Sequence, residues 1–140
     1  MLTKTITYTD YNGLERTENF YFNLSKSELT ELELTTEGSL TAALNKMVNA
    51  NDISDLSRMF KRILLLAYGE KSPDGRRFMK SEEISLAFSQ TPAYDQLFME
   101  LFTGTDSMIE FINAVIPKEA AEAAAKAAQT SASPLMMPLA

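Results

Sequence analysis

Between residues 3 and 22 small polar side chains alternate with larger ones. Thr5, Ile6, Thr7, Tyr8 and Thr9 stand on one side of Asn12-Gly13, and Arg16 to Phe22 repeat the alternation on the other. This period of two predicts a β-hairpin. Parity fixes its loop. A two-residue Asn12-Gly13 turn would pair Tyr11 with Leu14 and set Ile6 opposite Asn19, splitting the apolar residues between faces. A three-residue loop, Tyr11-Asn12-Gly13 with Gly13 in the left-handed conformation, pairs Asp10 with Leu14 and gathers Ile6, Tyr8, Phe20 and Phe22 on one face. We therefore expect the three-residue loop. Thr3, Thr5, Thr7, Thr17 and Asn19 then face solvent or a partner.

Beyond the hairpin the apolar period lengthens to that of a helix. Ser25-Lys26-Ser27-Glu28 has capping-box spacing, so a short acidic helix begins there with Leu29 and Leu32 inward and Glu31 outward. Gly38-Ser39 breaks it, and Leu40, Ala43, Leu44, Met47 and Val48 repeat at helical spacing. Asp52 caps a longer helix whose stripe is Ile53, Leu56, Phe60, Ile63, Leu64 and Ala67, widened by Leu65 and Leu66. This reads as the central core helix. Gly69 resembles a helix end, Pro73-Asp74-Gly75 a turn, and Ser81 and Thr91-Pro92 two helix starts. The helices they open carry Ile84, Ala87 and Phe88, then Tyr94, Leu97, Phe98, Leu101 and Phe102. After Gly104, residues Ser107 to Glu110 open a last helix that buries Met108, Phe111, Ile112 and Val115 and ends before Pro117.

Composition changes at Pro117. KEAAEAAAKAAQ is Ala-rich, has no large apolar anchor, and spaces Glu122 and Lys126 for an i,i+4 pair; TSASPLMMPLA follows as a tail. The expected fold is α+β: an N-terminal β-hairpin packed by its Phe20/Phe22 face on about five α-helices. One domain would occupy residues 1–117, and 118–140 an Ala-rich helix and tail.

The chain has 140 residues, 45% of them hydrophobic, with no Cys and no His. A core of that size folds without metals or disulfides. Thiol nucleophiles, Cys/His zinc sites, imidazole bases and Ser-His-Asp triads are excluded. The formal charge of −6 argues against broad affinity for nucleic acid or anionic membrane. The start MLTKTITYT lacks the apolar run of a secretory signal, and no run approaches the roughly 20 residues that span a bilayer. These features point to synthesis and residence in the cytoplasm, without cofactor.

Three groups of side chains are candidates for function. Lys71, Arg76, Arg77 and Lys80, with Tyr68 or Phe78 for stacking, could contact nucleic acid. They could equally be a solvated turn with cations near a helix's negative end, which the acidic total favours. Glu28, Glu31, Glu33 and Glu37 could form a cation site or acid/base pair, but helical spacing spreads them over a solvated face. Met47, Met59, Met79, Met99 and Met108 belong mostly to the core, and some could line an adaptable groove. Leu135-Met136-Met137 reads as an inert tail or a short sticky ligand.

The hairpin ITYTDYNGLERTENFYFNLSKSEL, followed by YGEKSPDGRRFMKSEEISLAFSQTPAYDQLFMELF, resembles the tail assembly chaperones of long-tailed bacteriophages. The version it resembles is common among phages and prophages of Gram-positive bacteria. The likeness runs from about residue 3 to Pro117. Its strongest words are Tyr68-Gly69-Glu70-Lys71, Asp74-Gly75-Arg76-Arg77-Phe78 and Phe98-Met99-Glu100-Leu101, and the Ala-rich tail lies outside it. The resemblance implies a non-enzymatic protein that coats the tape measure protein, keeps it soluble and extended, and recruits tail tube protein, then leaves before the virion is complete. Self-association and a longer, frameshifted form are compatible with it. Under this reading Lys71, Arg76, Arg77, Phe78 and Met79 are the expected partner-binding residues, the loop pairing with acidic residues of a neighbouring subunit or of the tape measure protein. The rival expectations are a structural component of the virion tail or head, and a small nucleic-acid-binding regulator.

Overall fold

The computed structural model describes residues 1–34 and 40–117. Its elements run β1 (Leu2–Thr9), β2 (Glu15–Phe22), α1 (Lys26–Glu33), α2 (Leu40–Asn49), α3 (Ile53–Ala67), β3 (Tyr68–Lys71), β4 (Phe78–Met79), α4 (Glu82–Ser89), α5 (Pro92–Phe102) and α6 (Thr105–Val115). The α+β class is as expected. Gly38-Ser39, Glu37 and the Ala-rich segment lie outside the described residues.

The hairpin has the three-residue loop. β1 and β2 pair antiparallel from Leu2↔Phe22 to Thr9↔Glu15. The Asp10 N–H donates to the Leu14 carbonyl at 2.8 Å and the Gly13 N–H to the Asp10 carbonyl at 3.0 Å, and Gly13 has φ of 83°. The Asp10 carboxylate accepts from the N–H groups of Asn12 and Leu14, each at 2.9 Å, and from Arg16 Nε at 2.6 Å. With parity set this way, Ile6, Phe20 and Phe22 are buried and the odd-numbered threonines are exposed. Side chains on that outer face pair with one another, Thr5 with Asn19 at 2.7 Å and Thr7 with Thr17 at 2.9 Å.

The sheet has four strands in the order β1-β2-β3-β4, so the expected turn at Pro73-Asp74-Gly75 is in fact the loop of a second hairpin. Gly69 is not a helix end. The helix stops at Ala67, Tyr68 turns extended (φ −68°, ψ 139°), and Tyr68 and Gly69 pair with Phe22 and Tyr21. Burial supplies the reason: Tyr68 is a core residue, and the Asn23 N–H reaches the Ala67 carbonyl at 2.8 Å, so the chain leaves α3 already in the sheet.

Phe22, fully buried, joins the layers. Its ring lies 5.4 Å from that of Phe111 on α6, 5.7 Å from Tyr68 and 5.8 Å from Phe88 on α4. Tyr68 stacks on Phe88 at 4.0 Å. On the other side of Phe111, Phe60 of α3 contacts both it and Phe98 of α5. The Leu24 N–H donates to the Val115 carbonyl at 2.8 Å, binding the exit of β2 to the end of α6.

Helix ends follow the residues expected to cap them. Ser25 and Glu28 form a reciprocal capping box, and the side chains of Asp52, Ser81 and Thr91 each accept an amide of the first turn. Asn51, at φ of 57°, closes α2 in the left-handed conformation that Asn tolerates better than most residues. The last helix begins at Thr105, behind Gly104, slightly ahead of the expected Ser107. No helix among the described residues is long and apolar enough to cross a membrane.

Replacing Phe22 by Ala removes a ring held by three others, so it should cost about 3–5 kcal/mol of stability. A urea unfolding curve of Phe22→Ala beside wild type checks this, and a loss under about 1 kcal/mol would show that the hairpin is not anchored through this ring.

Candidate protein-docking surface

The five residues expected to meet a partner all lie on the β3–β4 hairpin. Lys71 is directly across from Phe78, and Met79 from Glu70. Gly69 allows the strands to close. A Cβ there would stand 2.7 Å from a Phe78 ring carbon and 2.9 Å from the Met79 carbonyl oxygen, so the ring occupies the volume that any other residue would fill.

The loop between the strands is held from within. Buried Ser72 donates its hydroxyl to Asp74 at 2.7 Å and accepts the Arg77 N–H at 3.0 Å. Its own N–H donates to the Arg77 carbonyl at 2.9 Å. Asp74 also accepts the Arg76 N–H at 3.0 Å, and Gly75 takes the left-handed φ of 74°. The Ser72 hydroxyl, then the Arg76 amide, hold the Asp74 carboxyl below its ordinary pKa. Asp74 is therefore occupied by its own loop. Arg76 and Arg77 project as exposed cations, and among the described residues neither forms an ion pair. The Arg77 guanidinium donates to the Met79 sulfur, at 3.7 Å.

The basic cluster read from the sequence is thus divided. Lys71 lies over the Tyr21 ring, 4.3 Å from its centroid. Lys80 points the other way, into the body of the fold, donating to the Asn23 carbonyl at 2.6 Å and to both oxygens of Glu28 at 2.8 and 2.9 Å. Glu28 is also the capping-box residue of α1, accepting the Ser25 N–H at 2.9 Å. One carboxylate therefore joins α1 to the residue that follows β4. That role was invisible in the sequence, where Glu28 stood among solvated acids and Lys80 among solvated bases.

Beside this hairpin β2 and β3 part company. They pair only at Tyr21↔Gly69 and Phe22↔Tyr68, and a shallow cleft of about 710 Å³ opens beyond, with Phe20, Tyr21, Pro73 and Met79 among its lining. Burial pushes the Tyr68 hydroxyl at its edge up to about 12, which keeps it neutral. A second depression of about 440 Å³ lies on α3, floored by Leu65 and Leu66 and rimmed by Arg62 and Glu82. Lys61 and Arg62 of α3 are exposed as well. Of the five methionines singled out, Met108 is buried, Met47, Met59 and Met79 are half-buried, and Met99 is 52% exposed. No group of three or more carboxylates that could hold a metal occurs among the described residues.

A family model described as phage tail assembly chaperone matches residues 1–136. The match continues past Pro117 into the Ala-rich segment, further than the resemblance in the sequence reached. No curated protein and no solved structure matches the chain.

The Glu28–Lys80 tie yields a test in pH. Burial raises the Glu28 pKa, but hydrogen bonds from Lys80 and Ser25 with the Lys80 charge outweigh it, and the carboxyl sits below its ordinary value. The Lys80 pKa is lowered as well, by burial more than the Glu28 hydrogen bond and charge restore. In acid only Glu28 matters, because the lysine stays charged throughout that range. A depressed carboxyl stabilises the fold above its unfolded pKa and loses that contribution as pH falls through the folded one. Wild type should therefore lose stability between about pH 5 and pH 3 more steeply than Glu28→Gln does. Parallel slopes in urea unfolding across that range would show that the pair contributes nothing.

Proposed function

We propose that this chain, which belongs to the phage tail assembly chaperone family, works by stoichiometric binding to the tape measure protein. It coats apolar helical segments of that protein, keeps them soluble and extended, and promotes polymerisation of tail tube protein around them. The family match over residues 1–136 is the observation that carries this reading. The role is one of binding, exercised in the host cytoplasm before the virion is complete, by a domain of residues 1–117 with residues 118–140 as an appendage.

Lys71, Arg76, Arg77, Phe78 and Met79 form the contact loop. What supports this is the division of labour in the hairpin: its fold is maintained by Gly69, Ser72, Asp74, Gly75 and the backbone of the two arginines, while the arginine side chains form no ion pair among the described residues. A nucleic-acid role has less support, since Lys71 and Lys80 are engaged within the protein and the net charge is −6.

Co-expression with the tape measure protein tests the proposal. The two should co-purify, and omission of this chain should leave the tape measure protein in the insoluble fraction. A tape measure protein that is soluble alone and forms no complex would refute the reading. Mass spectrometry of purified particles should lack this chain, whereas a fixed copy number in every particle would identify a structural virion component instead.

A further inference from the structure

Along β2 the ladder is complete on one side and interrupted on the other. The bond from the Asp10 N–H to the Leu14 carbonyl and the register from Leu2↔Phe22 to Thr9↔Glu15 turn the amides and carbonyls of even-numbered β2 residues towards β1. Those of odd-numbered residues point the other way. Tyr21 meets Gly69 on that side, and the Asn23 N–H continues it to the Ala67 carbonyl. The next partner, for Asn19, would be Lys71, but the two strands have parted there. Among the described residues, the backbone groups of Thr17 and Asn19 that face β3 therefore have no partner. Beside them lies the cleft of about 710 Å³, with Phe20, Pro73 and Met79 in its lining. The pairs Phe22↔Tyr68 and Glu70↔Met79 put Met79 on the same face of the sheet as Phe20. Free edge groups next to apolar surface make a place for one more strand.

We propose that the occupant is this chain's own Pro134-Leu135-Met136-Met137-Pro138, added as a strand to the open edge of β2. The segment lies outside the described residues, and its sequence fits the site by parity. Leu135 and Met137 keep their N–H groups and fall on one side of a strand, where they pair with Thr17 and Asn19. Pro134 and Pro138 share the parity of Met136, so their missing donors fall on the far side, where an edge strand tolerates proline. The same parity directs Pro134, Met136 and Pro138 inward, over Phe20 and Met79. Each proline also biases the residue before it, Ser133 or Met137, towards extended backbone. Reach is no obstacle. The Val115 carbonyl is bonded to the Leu24 N–H, so the chain leaves α6 at the end of β2, and Thr17 precedes Phe22 by about 17 Å of strand. A coil as long as residues 118–134 has an r.m.s. span of about 20–25 Å, and tethering of this kind gives a local concentration on the order of millimolar. Lys71 and Met79 of the contact loop line the same cleft, so a client must displace the segment to reach them. That consequence rests on the hairpin being the contact loop; the strand addition does not.

Amide hydrogen exchange on the full chain tests the pairing residue by residue. Thr17 and Asn19 should exchange at least about tenfold more slowly in wild type than in Leu135→Pro/Met137→Pro, which removes both donors and sets rings against the edge. Met136→Pro, whose lost N–H lies on the far side, should keep the protection. The amides of Phe60 and Ile63 in α3 should behave alike in all three proteins, showing that the core is intact. Protection should not change with protein concentration, because the segment belongs to the same molecule. Equal exchange in wild type and the double variant would overturn the proposal. So would a loss in Met136→Pro as great as in the double variant, or protection that grows with concentration. Capture of the tape measure protein by the same variants reports separately. Several-fold stronger capture by the double variant supports displacement, and unchanged capture overturns it. Protected Thr17 and Asn19 in a chain that captures no tape measure protein would uphold the strand addition and refute the chaperone reading.

Discussion

One residue of loop length decides this fold. Had the first hairpin turned over two residues, Phe20 and Phe22 would lie on opposite faces from Ile6 and Tyr8, and the helices would find no continuous apolar surface. Gly13 in its left-handed conformation supplies the third residue, and Asp10 locks the turn with three acceptor contacts. From that parity follows the burial of Phe22, and from Phe22 the meeting of α4, α6 and the start of β3 around one ring.

The second hairpin depends on the first. Tyr68 can leave α3 directly into the sheet because Phe22 is already placed to pair with it and its ring has Phe88 to stack on. Gly69 then admits Phe78, and the turn from Ser72 to Arg77 projects beyond the last strand with its arginines uncommitted. The shape of the β3–β4 loop is thus tied to core packing, and within it Ser72 and Asp74 supply the hydrogen bonds that hold the turn.

Legibility in the sequence followed the range of the interactions. The hairpin's register could be read from parity alone, and the capping box at Ser25, the Asp52 cap and the Thr91-Pro92 start were local words with local meanings. β3 and β4 were missed because four and two residues are too short to display a period. Their pairing is set by Phe22, far away in the chain. Lys80 was misread for the same reason, since its partner Glu28 is 52 positions distant. For the candidate site, the five residues were found on one hairpin, but their separation into engaged and free cations required the fold.

The central claim is that copies of this chain cover the tape measure protein along its length. The most direct measurement is the mass of the purified complex, by light scattering or native mass spectrometry, for a full-length tape measure protein and for one shortened internally by about half. Coating predicts that the number of bound copies falls in proportion to the length removed. An unchanged copy number would contradict it, and would mean that the protein binds one local site rather than a rod.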